Sequence, residues 1–268
     1  IKHYGVTKAW MFIMLIIAVI MVVVGVYHYA ILPNSNEDSE RKPTSLSKSM
    51  DELLKVFLDF FTKKHIVYYI CFIILYRFAE GFVIKIVPLF LKAPRISQGL
   101  GLSEQEIGVY YGTFGAAAFV IGSILAGYYI AWRGLQKSLF SLALVFNIPF
   151  VAYTFLALYQ PNSMWLIGGG IVMEYFGYGF GFVGLTLFMM QQVAPGKHQM
   201  AHYAFASGIM NLGVMLPGMI SGYICDKIGY QHFFIMVLIC TIPALLITWF
   251  VPFSYPDTTE KANNEATT

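Results

Sequence analysis

Four ionisable side chains lie inside long apolar stretches of the sequence, where charges are costly. They are Arg77, Glu80, Lys85 and Glu174. At the centre of a membrane-spanning helix a charge costs about 2.5–3.5 kcal/mol on insertion scales, so such residues are expected to face a polar cavity or each other. Arg77 and Glu80 are three residues apart and can pair on one helical face. This pattern predicts a site that binds a proton or a polar solute within the membrane.

Proton coupling is the chemistry for which buried carboxyl groups are best suited. Burial in a medium of low dielectric favours the neutral carboxyl group, whereas a nearby cation favours the charged form, so a bound solute or a change of access can alter its protonation. Glu80, balanced by Arg77 and Lys85, is the first candidate for proton coupling, and Glu174 is the second. Alternatively, Arg77 or Lys85 binds a carboxylate or phosphate group of the solute.

Each of these charges also has a structural explanation. Arg77 and Glu80 can form a self-neutralising ion pair that specifies packing, and Lys85 can extend its side chain to the membrane surface. Glu174 can form a hydrogen bond with a neighbouring helix. Four glycines share its helical face, which favours close contact with another helix over contact with lipid. These glycines are Gly170, Gly177, Gly181 and Gly184.

The composition identifies the class of protein that contains these charges. Of 268 residues, 58% are hydrophobic and 12% are charged, whereas soluble domains have about 45–50% apolar and about 25% charged residues. A soluble fold could not cover that much apolar surface. The net charge of +3 argues against nucleic-acid binding, which requires a dense basic surface. The 17% of aromatic residues argue against disorder, so an integral membrane protein remains.

Seven apolar stretches are long enough to cross a bilayer core of about 30 Å, which requires about 20 helical residues. They do not alternate polar and apolar residues as the strands of a membrane barrel do. The sequence therefore predicts an all-α, polytopic membrane protein with about seven transmembrane helices. Most connections are short, so consecutive helices are expected to be antiparallel neighbours. The predicted spans are residues 9–32, 66–91, 107–132, 138–159, 164–193, 201–224 and 233–250.

One long connection separates the first span from the second. It is polar at first, and residues 51–64 have the pattern of an amphipathic helix that lies in the membrane interface. If this connection is cytoplasmic, ten lysine and arginine residues lie on the cytoplasmic side and five on the other. Basic residues are enriched on the cytoplasmic side of membrane proteins, which supports this orientation and places the carboxyl terminus in the cytoplasm.

The sequence lacks the residue patterns of a metal site or a hydrolase. It has no His-Glu-x-x-His, no Gly-x-Ser-x-Gly and no Cys/His metal spacing. Cys71, Cys225 and Cys240 lie in or beside apolar runs, as buried free thiols do. We therefore predict no metal, no cofactor and no enzymatic activity. Besides a site for a proton or a polar solute, two alternatives stay open: an intramembrane enzyme, and a structural or signalling subunit whose charges only fix partner helices.

A short string before the last predicted span resembles the loop signature of the major facilitator superfamily, in which glycine and charged residues tighten a loop between two helices. The string is Gly222-Tyr-Ile-Cys-Asp226-Lys227-Ile-Gly229. It resembles the form found before the last helix of each half of these transporters.

A second string resembles the form between the second and third helices of the carboxy-terminal half. It runs Gly127-Tyr-Tyr-Ile-Ala131-Trp-Arg133-Gly134. Ala131 occupies the position where the family usually has an acidic residue, so this loop departs from the family pattern.

Longer strings resemble AmpG-type muropeptide permeases within the same superfamily. The resemblance implies a helical bundle that imports an anhydromuropeptide, or another bulky polar solute, with protons and by alternating access. It places acidic residues at Glu80 and Glu174, and within the same strings Tyr76, Tyr178 and Asn211 are further candidates for solute binding. The matching segments are residues 76–80, 104–112, 174–179 and 203–218.

The order of these strings implies a division of the chain. Residues 1–33 correspond to the last helix of the amino-terminal half, 34–64 to the cytoplasmic central loop, 65–254 to the carboxy-terminal six-helix bundle and 255–268 to a cytoplasmic tail. The chain starts with Ile and lacks a signal peptide, so we expect an amino-terminal half of the same transporter as its partner. A small solute, protons and lipid, but no nucleic acid, are the other expected partners, in a bacterial cytoplasmic membrane.

Overall fold

A computed structural model describes residues 5–31 and 46–256 of the chain. Within these residues the regular secondary structure is helical, without strands, which confirms the predicted all-α class. The chain divides into two units, Ile1–Asp51 and Glu52–Thr268, and each is described by itself. The first part of the predicted central loop and most of the predicted tail lie outside the described residues.

The described residues form nine α-helices, two π-helical segments and one short 3₁₀ helix, Arg95–Ser97. The π-helical segment Tyr110–Gly115 joins α5 to α6, and the π-helical segment Met189–Val193 extends α8. The α-helices are α1 (Val6–Ile31), α2 (Leu46–Phe61), α3 (Ile66–Tyr76), α4 (Phe78–Lys92), α5 (Glu104–Val109), α6 (Ala116–Arg133), α7 (Leu135–Tyr159), α8 (Met164–Phe188) and α9 (Gln199–Trp249).

Five helical stretches of the described residues are long and apolar enough to cross a membrane. Four of them agree with the predicted spans at 9–32, 107–132, 138–159 and 164–193, and the fifth contains the last two predicted spans. The first stretch, in α1, is apolar on all sides, which is typical of a membrane span. The five stretches are Thr7–Ile31, Glu104–Arg133, Leu135–Tyr159, Met164–Val193 and Gln199–Trp249.

The predicted span at residues 66–91 is not one continuous helix. α3 has 11 residues and ends at Tyr76, and α4 has 15 residues and begins at Phe78. Arg77, between them, has a φ of −105° and a ψ of 6°, which lie in the bridge region rather than the helical region. The expectation of an uninterrupted helix is therefore wrong, because the backbone leaves the helical path at Arg77.

Single glycines form the joints of two tight loops. Gly229, inside α9, has a φ of 75° and a ψ of 164°. It separates a first helical arm, residues 199–228, from a second helical arm, residues 230–249. Gly134, between α6 and α7, has a φ of 81° and a ψ of 152°. Backbone angles of this kind are essentially restricted to glycine. Both glycines belong to the loop strings singled out in the sequence.

The glycine face of α8 packs against α7, as the sequence predicts. A Cβ atom on Gly177 or Gly181 would lie 2.7 or 2.9 Å from a backbone carbonyl oxygen of α7. On Gly170 or Gly184 it would meet leucine side chains of α7 at 3.0 or 2.8 Å. In a bilayer, close approach of this kind stabilises helix pairs through van der Waals contact.

Polar contacts fix the end of α2 and the following loop to the bundle of the second unit. Lys63 Nζ donates hydrogen bonds of 2.6, 3.1 and 2.8 Å to the carbonyl oxygens of residues 193, 194 and 195, so it caps the end of α8 and its π-helical extension. His202 Nε2 lies 3.2 Å from the carbonyl oxygen of Val56. The Phe60 side chain of α2 is fully buried, which orients the helix on the bundle.

Replacing Lys63 tests this cap. We expect Lys63→Met to lower the free energy of unfolding by about 1–3 kcal/mol, because the end of α8 loses a charged donor. Thermal unfolding of the detergent-solubilised chain measures the effect. Lys64→Met is the matched control, since the adjacent Lys64 is exposed, and it is expected to stay within about 0.5 kcal/mol of wild type. Equal losses for both variants would contradict the assignment.

Alanine substitutions test the two glycine joints. We expect Gly134→Ala and Gly229→Ala each to destabilise the chain by about 1–3 kcal/mol, because a Cβ atom is strained at these backbone angles. Gly127→Ala and Gly222→Ala are controls from the same two strings, since a Cβ atom at either position would meet nothing within 4 Å. Thermal unfolding should leave the controls unchanged or slightly stabilised. A similar melting temperature for all four variants would argue against glycine-specific joints.

Candidate functional site

A cavity of about 120 Å³ lies between α4, α7, α8 and the π-helical segment Tyr110–Gly115. Its wall combines two carboxyl groups with five aromatic rings, and among the described residues no lysine or arginine belongs to it. Both carboxyl groups that the sequence singled out lie there, although they are far apart in the chain. The lining residues are Glu80, Ile84, Val87, Pro88, Tyr111, Phe146, Pro149, Phe150, Glu174, Tyr175 and Tyr178.

The first carboxyl group, Glu80, forms a buried ion pair with Arg77. Arg77 Nε donates to Glu80 Oε2 at 2.6 Å, and Arg77 Nη2 donates to Glu80 Oε1 at 2.7 Å. Only 5% of Arg77 and 7% of Glu80 are exposed. A bidentate pair with this geometry is among the strongest that proteins form. The structure therefore brings together the residues that the three-residue spacing predicted to pair.

Two aromatic rings of α8 contact the Arg77 guanidinium group. Its carbon atom lies 5.6 Å from the ring centre of Tyr178 and 5.2 Å from that of Phe182. Arg77 Nη2 also donates to the Tyr178 hydroxyl group at 3.3 Å. Cation–π contacts gain strength when the cation is removed from water. The cation thus connects the helix break in the α3–α4 segment to α8.

The second carboxyl group, Glu174, has tyrosines as its partners. The Tyr153 hydroxyl group of α7 donates a hydrogen bond to Glu174 Oε2. The Tyr111 hydroxyl group donates to the same oxygen at 3.5 Å. In the described part of the chain, the ion pairs do not include Glu174. Glu80 and Glu174 therefore face one cavity in different electrostatic surroundings.

Helix geometry explains why Tyr111 points into the cavity. Tyr111 belongs to the π-helical segment, whose wider turns change the direction of side chains relative to an α-helix. Glycines make room for the rings on both sides: Tyr110 packs over Gly168, and the Tyr175 ring lies 2.9 Å from the position of a Cβ atom on Gly115. These ring contacts pack the two ends of the π-helical segment against α8.

The other predicted solute-binding residues have different surroundings. Tyr178 lines the cavity. Tyr76 is buried and donates a hydrogen bond of 2.8 Å to the carbonyl oxygen of Gly181. Lys85 is exposed and its side chain lies beside Gly218, and Asn211 is also exposed. Lys85 and Asn211 do not belong to the cavity wall, and their roles stay predictions.

The residues of the two loop strings lie at helix ends, away from the cavity. Arg133 Nη1 donates to the Tyr129 hydroxyl group at 2.9 Å, and Lys227 Nζ lies 5.6 Å from the ring centre of Tyr223. Asp226 is exposed. Together with Gly127, Gly134, Gly222 and Gly229, these residues shape and flank the connections between helices.

Two residues of the site were not recognised from the sequence. Tyr111 and Tyr153 contact Glu174, yet both lie in apolar stretches where tyrosine has no distinctive pattern. Their hydroxyl groups are the one available signal, since a phenol inside a membrane span needs a hydrogen-bond partner. The identity of that partner depends on how α7, α8 and the π-helical segment pack together.

Comparison with known proteins identifies the family of the chain. The family model described as Major Facilitator Superfamily matches residues 1–201, three quarters of the 268-residue chain. A candidate AmpG transporter (AmpG 2) of Rickettsia prowazekii is 25% identical over 221 residues, which cover 79% of this chain and 50% of that protein. A candidate AmpG transporter (AmpG 1) of Rickettsia bellii is 23% identical over 243 residues, covering 88% and 55%.

A third relative, from Haemophilus influenzae, is an uncharacterised protein that is 22% identical over 204 residues and covers 72% of this chain. The chain spans about half the length of these relatives. The matches extend over the segments that carry Arg77, Glu80 and Glu174. They agree with the resemblance seen in the sequence strings.

Charge removal tests the buried pair. We expect Arg77→Met or Glu80→Gln alone to destabilise the chain by about 3–5 kcal/mol, because each leaves a buried charge without its partner. The double variant R77M/E80Q removes both charges and should recover most of that loss. Thermal unfolding in detergent and the fraction of monodisperse protein provide the measurement. Additive losses in the double variant would show that the two side chains do not stabilise each other.

Proposed function

Because the chain belongs to the major facilitator superfamily, we propose that it forms part of a secondary transporter that moves a polar solute across the membrane by proton symport and alternating access. The observation that supports this proposal is one cavity with two carboxyl groups, of which Glu80 is paired with a cation and Glu174 is not. A site of this kind can bind a proton and respond to a polar solute at the same time.

We assign the proton to Glu174. A carboxylate in a cavity of low dielectric has a strong preference for the neutral form unless a cation compensates it. Arg77 compensates Glu80, whereas two tyrosine hydroxyl groups are the partners of Glu174. This assignment reverses the order in which the sequence ranked the two candidates, since Glu80 already has Arg77 as a charged partner.

The ion pair couples the solute to the proton. Arg77 does not line the cavity, but its partner Glu80 does. In this proposal a solute group displaces Glu80 and accepts hydrogen bonds from Arg77 in its place. Glu80 then carries a less compensated negative charge in the same cavity as Glu174, and a second negative charge favours proton binding there. Solute and proton thus promote each other's binding, because coupling between two sites is reciprocal, and joint binding favours their transport together.

The resemblance to AmpG-type permeases supports an anhydromuropeptide or another amino-sugar compound as the solute. The chain spans half the length of its Rickettsia relatives, which supports its assignment as helix six, the central loop and helices seven to twelve of a longer transporter. In this assignment α1 is the last helix of the amino-terminal half, and α3–α9 form the carboxy-terminal half. The bacterial cytoplasmic membrane is the corresponding location, with a cytoplasmic carboxyl terminus.

The self-neutralising Arg77–Glu80 pair favours one rival function, a structural subunit in which charges only fix helices. Variants of the pair would then lose assembly while solute binding remained. An intramembrane enzyme is a weaker alternative, and it would show turnover in detergent without a gradient. We propose a transporter rather than either, because the family match covers three quarters of the chain.

Substitution of Glu174 tests the proposal. We expect Glu174→Gln in the complete transporter to abolish the acceleration of anhydromuropeptide uptake by a proton gradient, because the amide cannot carry the proton. Proteoliposomes with labelled solute outside and a pH-sensitive dye inside measure solute and proton entry together. Wild-type vesicles should show both, and an uncoupler should collapse the uptake.

Glu104→Gln is the matched control, since Glu104 pairs with Lys92 at 2.6 Å on the exposed end of the bundle. It should retain gradient-driven uptake. If Glu174→Gln retained uptake that an uncoupler abolishes, the assignment of the proton to Glu174 would be wrong, and loss of that uptake in Glu80→Gln alone would point to Glu80 instead. If wild-type vesicles transported other amino sugars but no anhydromuropeptide, the solute assignment would be wrong and the transporter proposal would stand.

A further inference from the structure

The π-helical segment Tyr110–Gly115 interrupts a membrane span next to the candidate site. π-helical turns are rare, have less favourable hydrogen-bond geometry than α-helical turns, and occur frequently at functional sites. Here the segment has the sequence Tyr-Tyr-Gly-Thr-Phe-Gly, and glycine lowers the barrier to a change of backbone conformation. The segment is thus suited to change between a π-helical and an α-helical register.

The surroundings of the segment leave room for such a change. A Cβ atom on Gly112 would meet nothing within 4 Å, so the middle of the segment has an open side. The ends are packed, because the Tyr110 ring lies over Gly168 and the Tyr175 ring lies over Gly115. A change of register rotates one end of the segment relative to the other, so it has to shift one of these ring contacts.

Tyr111 connects this segment to the proton site. Its hydroxyl group lies 3.5 Å from Glu174 Oε2, beyond the usual O–H···O distance of about 2.5–3.0 Å, so this contact is easily lost. Tyr153, on helix α7, donates to the same oxygen. Of these two contacts, only that of Tyr111 depends on the backbone register of the π-helical segment.

We propose that the π-helical segment is a proton gate, in which Tyr111 holds the ionised Glu174 carboxylate and leaves it when the carboxylate is protonated. The inference deepens the proposed function, since it rests on Glu174 as the proton site. A hydrogen bond to a charged acceptor is stronger than one to a neutral acceptor, so protonation releases Tyr111. A register shift of one residue then turns the Tyr111 side chain by about 100° around the helix axis. This movement exposes the Glu174 carboxyl group to one side of the membrane.

The groups that face Glu174 are tyrosine hydroxyl groups and one carboxyl group that has a cation as its partner. Tyr111 faces Glu174 from the π-helical segment and Tyr153 from α7. Tyr175 and Tyr178 of α8 line the same cavity, and a tyrosine side chain ordinarily keeps its proton near neutral pH. Glu80 lines the same cavity from α4 but is paired with Arg77. The protection of the segment should therefore follow the charge of Glu174.

Amide hydrogen exchange of the purified chain in detergent tests the gate. The backbone amides of residues 108–116 are compared at mildly acidic and mildly alkaline pH, after correction for intrinsic exchange. The chains are wild type, Glu174→Gln, Tyr111→Phe and Tyr110→Phe. Tyr110→Phe is the matched control, because it keeps the ring over Gly168 and removes a hydroxyl group one residue from Tyr111.

In wild type and in Tyr110→Phe, we expect the segment to exchange about tenfold faster at acidic pH, which corresponds to the loss of one hydrogen bond to a charged group. In Glu174→Gln and Tyr111→Phe the exchange should be fast at both pH values. The same pH dependence in all four chains, or none in wild type, would overturn the gate. Exchange does not require transport, so a pH-dependent segment without proton-driven uptake would refute the proposed function and leave the gate intact.

Discussion

A bidentate ion pair buried beside a helix break is the interaction on which the candidate site depends. Arg77 leaves the helical path between α3 and α4, and its guanidinium group takes both oxygens of Glu80. The cost of two buried charges is offset only when they are paired and hydrogen-bonded. Because Tyr178 and Phe182 cover the same cation, the pair also sets the position of α8 relative to α4. A change in the ion pair is therefore expected to move both α4 and α8, which form two walls of the cavity.

Close packing of α7 against α8 is the second condition for the site. The glycine face of α8 lets the backbones approach to contact distance, and this brings the Tyr153 hydroxyl group of α7 to Glu174. Larger residues on that face would separate the helices and leave a buried carboxyl group without its donor. The glycines do not contact Glu174. They set the distance between α7 and α8, and this distance decides whether Tyr153 can donate to Glu174.

The two carboxyl groups of the cavity differ in their partners. Glu80 has a cation as its partner, whereas Glu174 has neutral hydroxyl donors, so we expect the two groups to respond differently to a proton and to a solute. The division of roles that we propose agrees with membership of a transporter superfamily. It depends on the partners of each carboxyl group, since the residue type is the same.

The sequence by itself determined the class of the protein, the position of most spans, the i, i+3 pairing of Arg77 with Glu80, and the glycine face of α8. These follow from composition, periodicity and spacing along one helix, which are local properties. Only the tertiary structure decided that the helix over residues 66–91 is interrupted at Arg77. It also decided that Glu80 and Glu174 line one cavity, whereas Lys85 and Asn211 lie outside it. The hydrogen bonds from Tyr111 and Tyr153 to Glu174 likewise became visible only in the structure. Those features depend on contacts between helices that are far apart in the chain. Helical periodicity identifies which residues share one face of a helix, but it does not identify the residues of other helices that pack against that face.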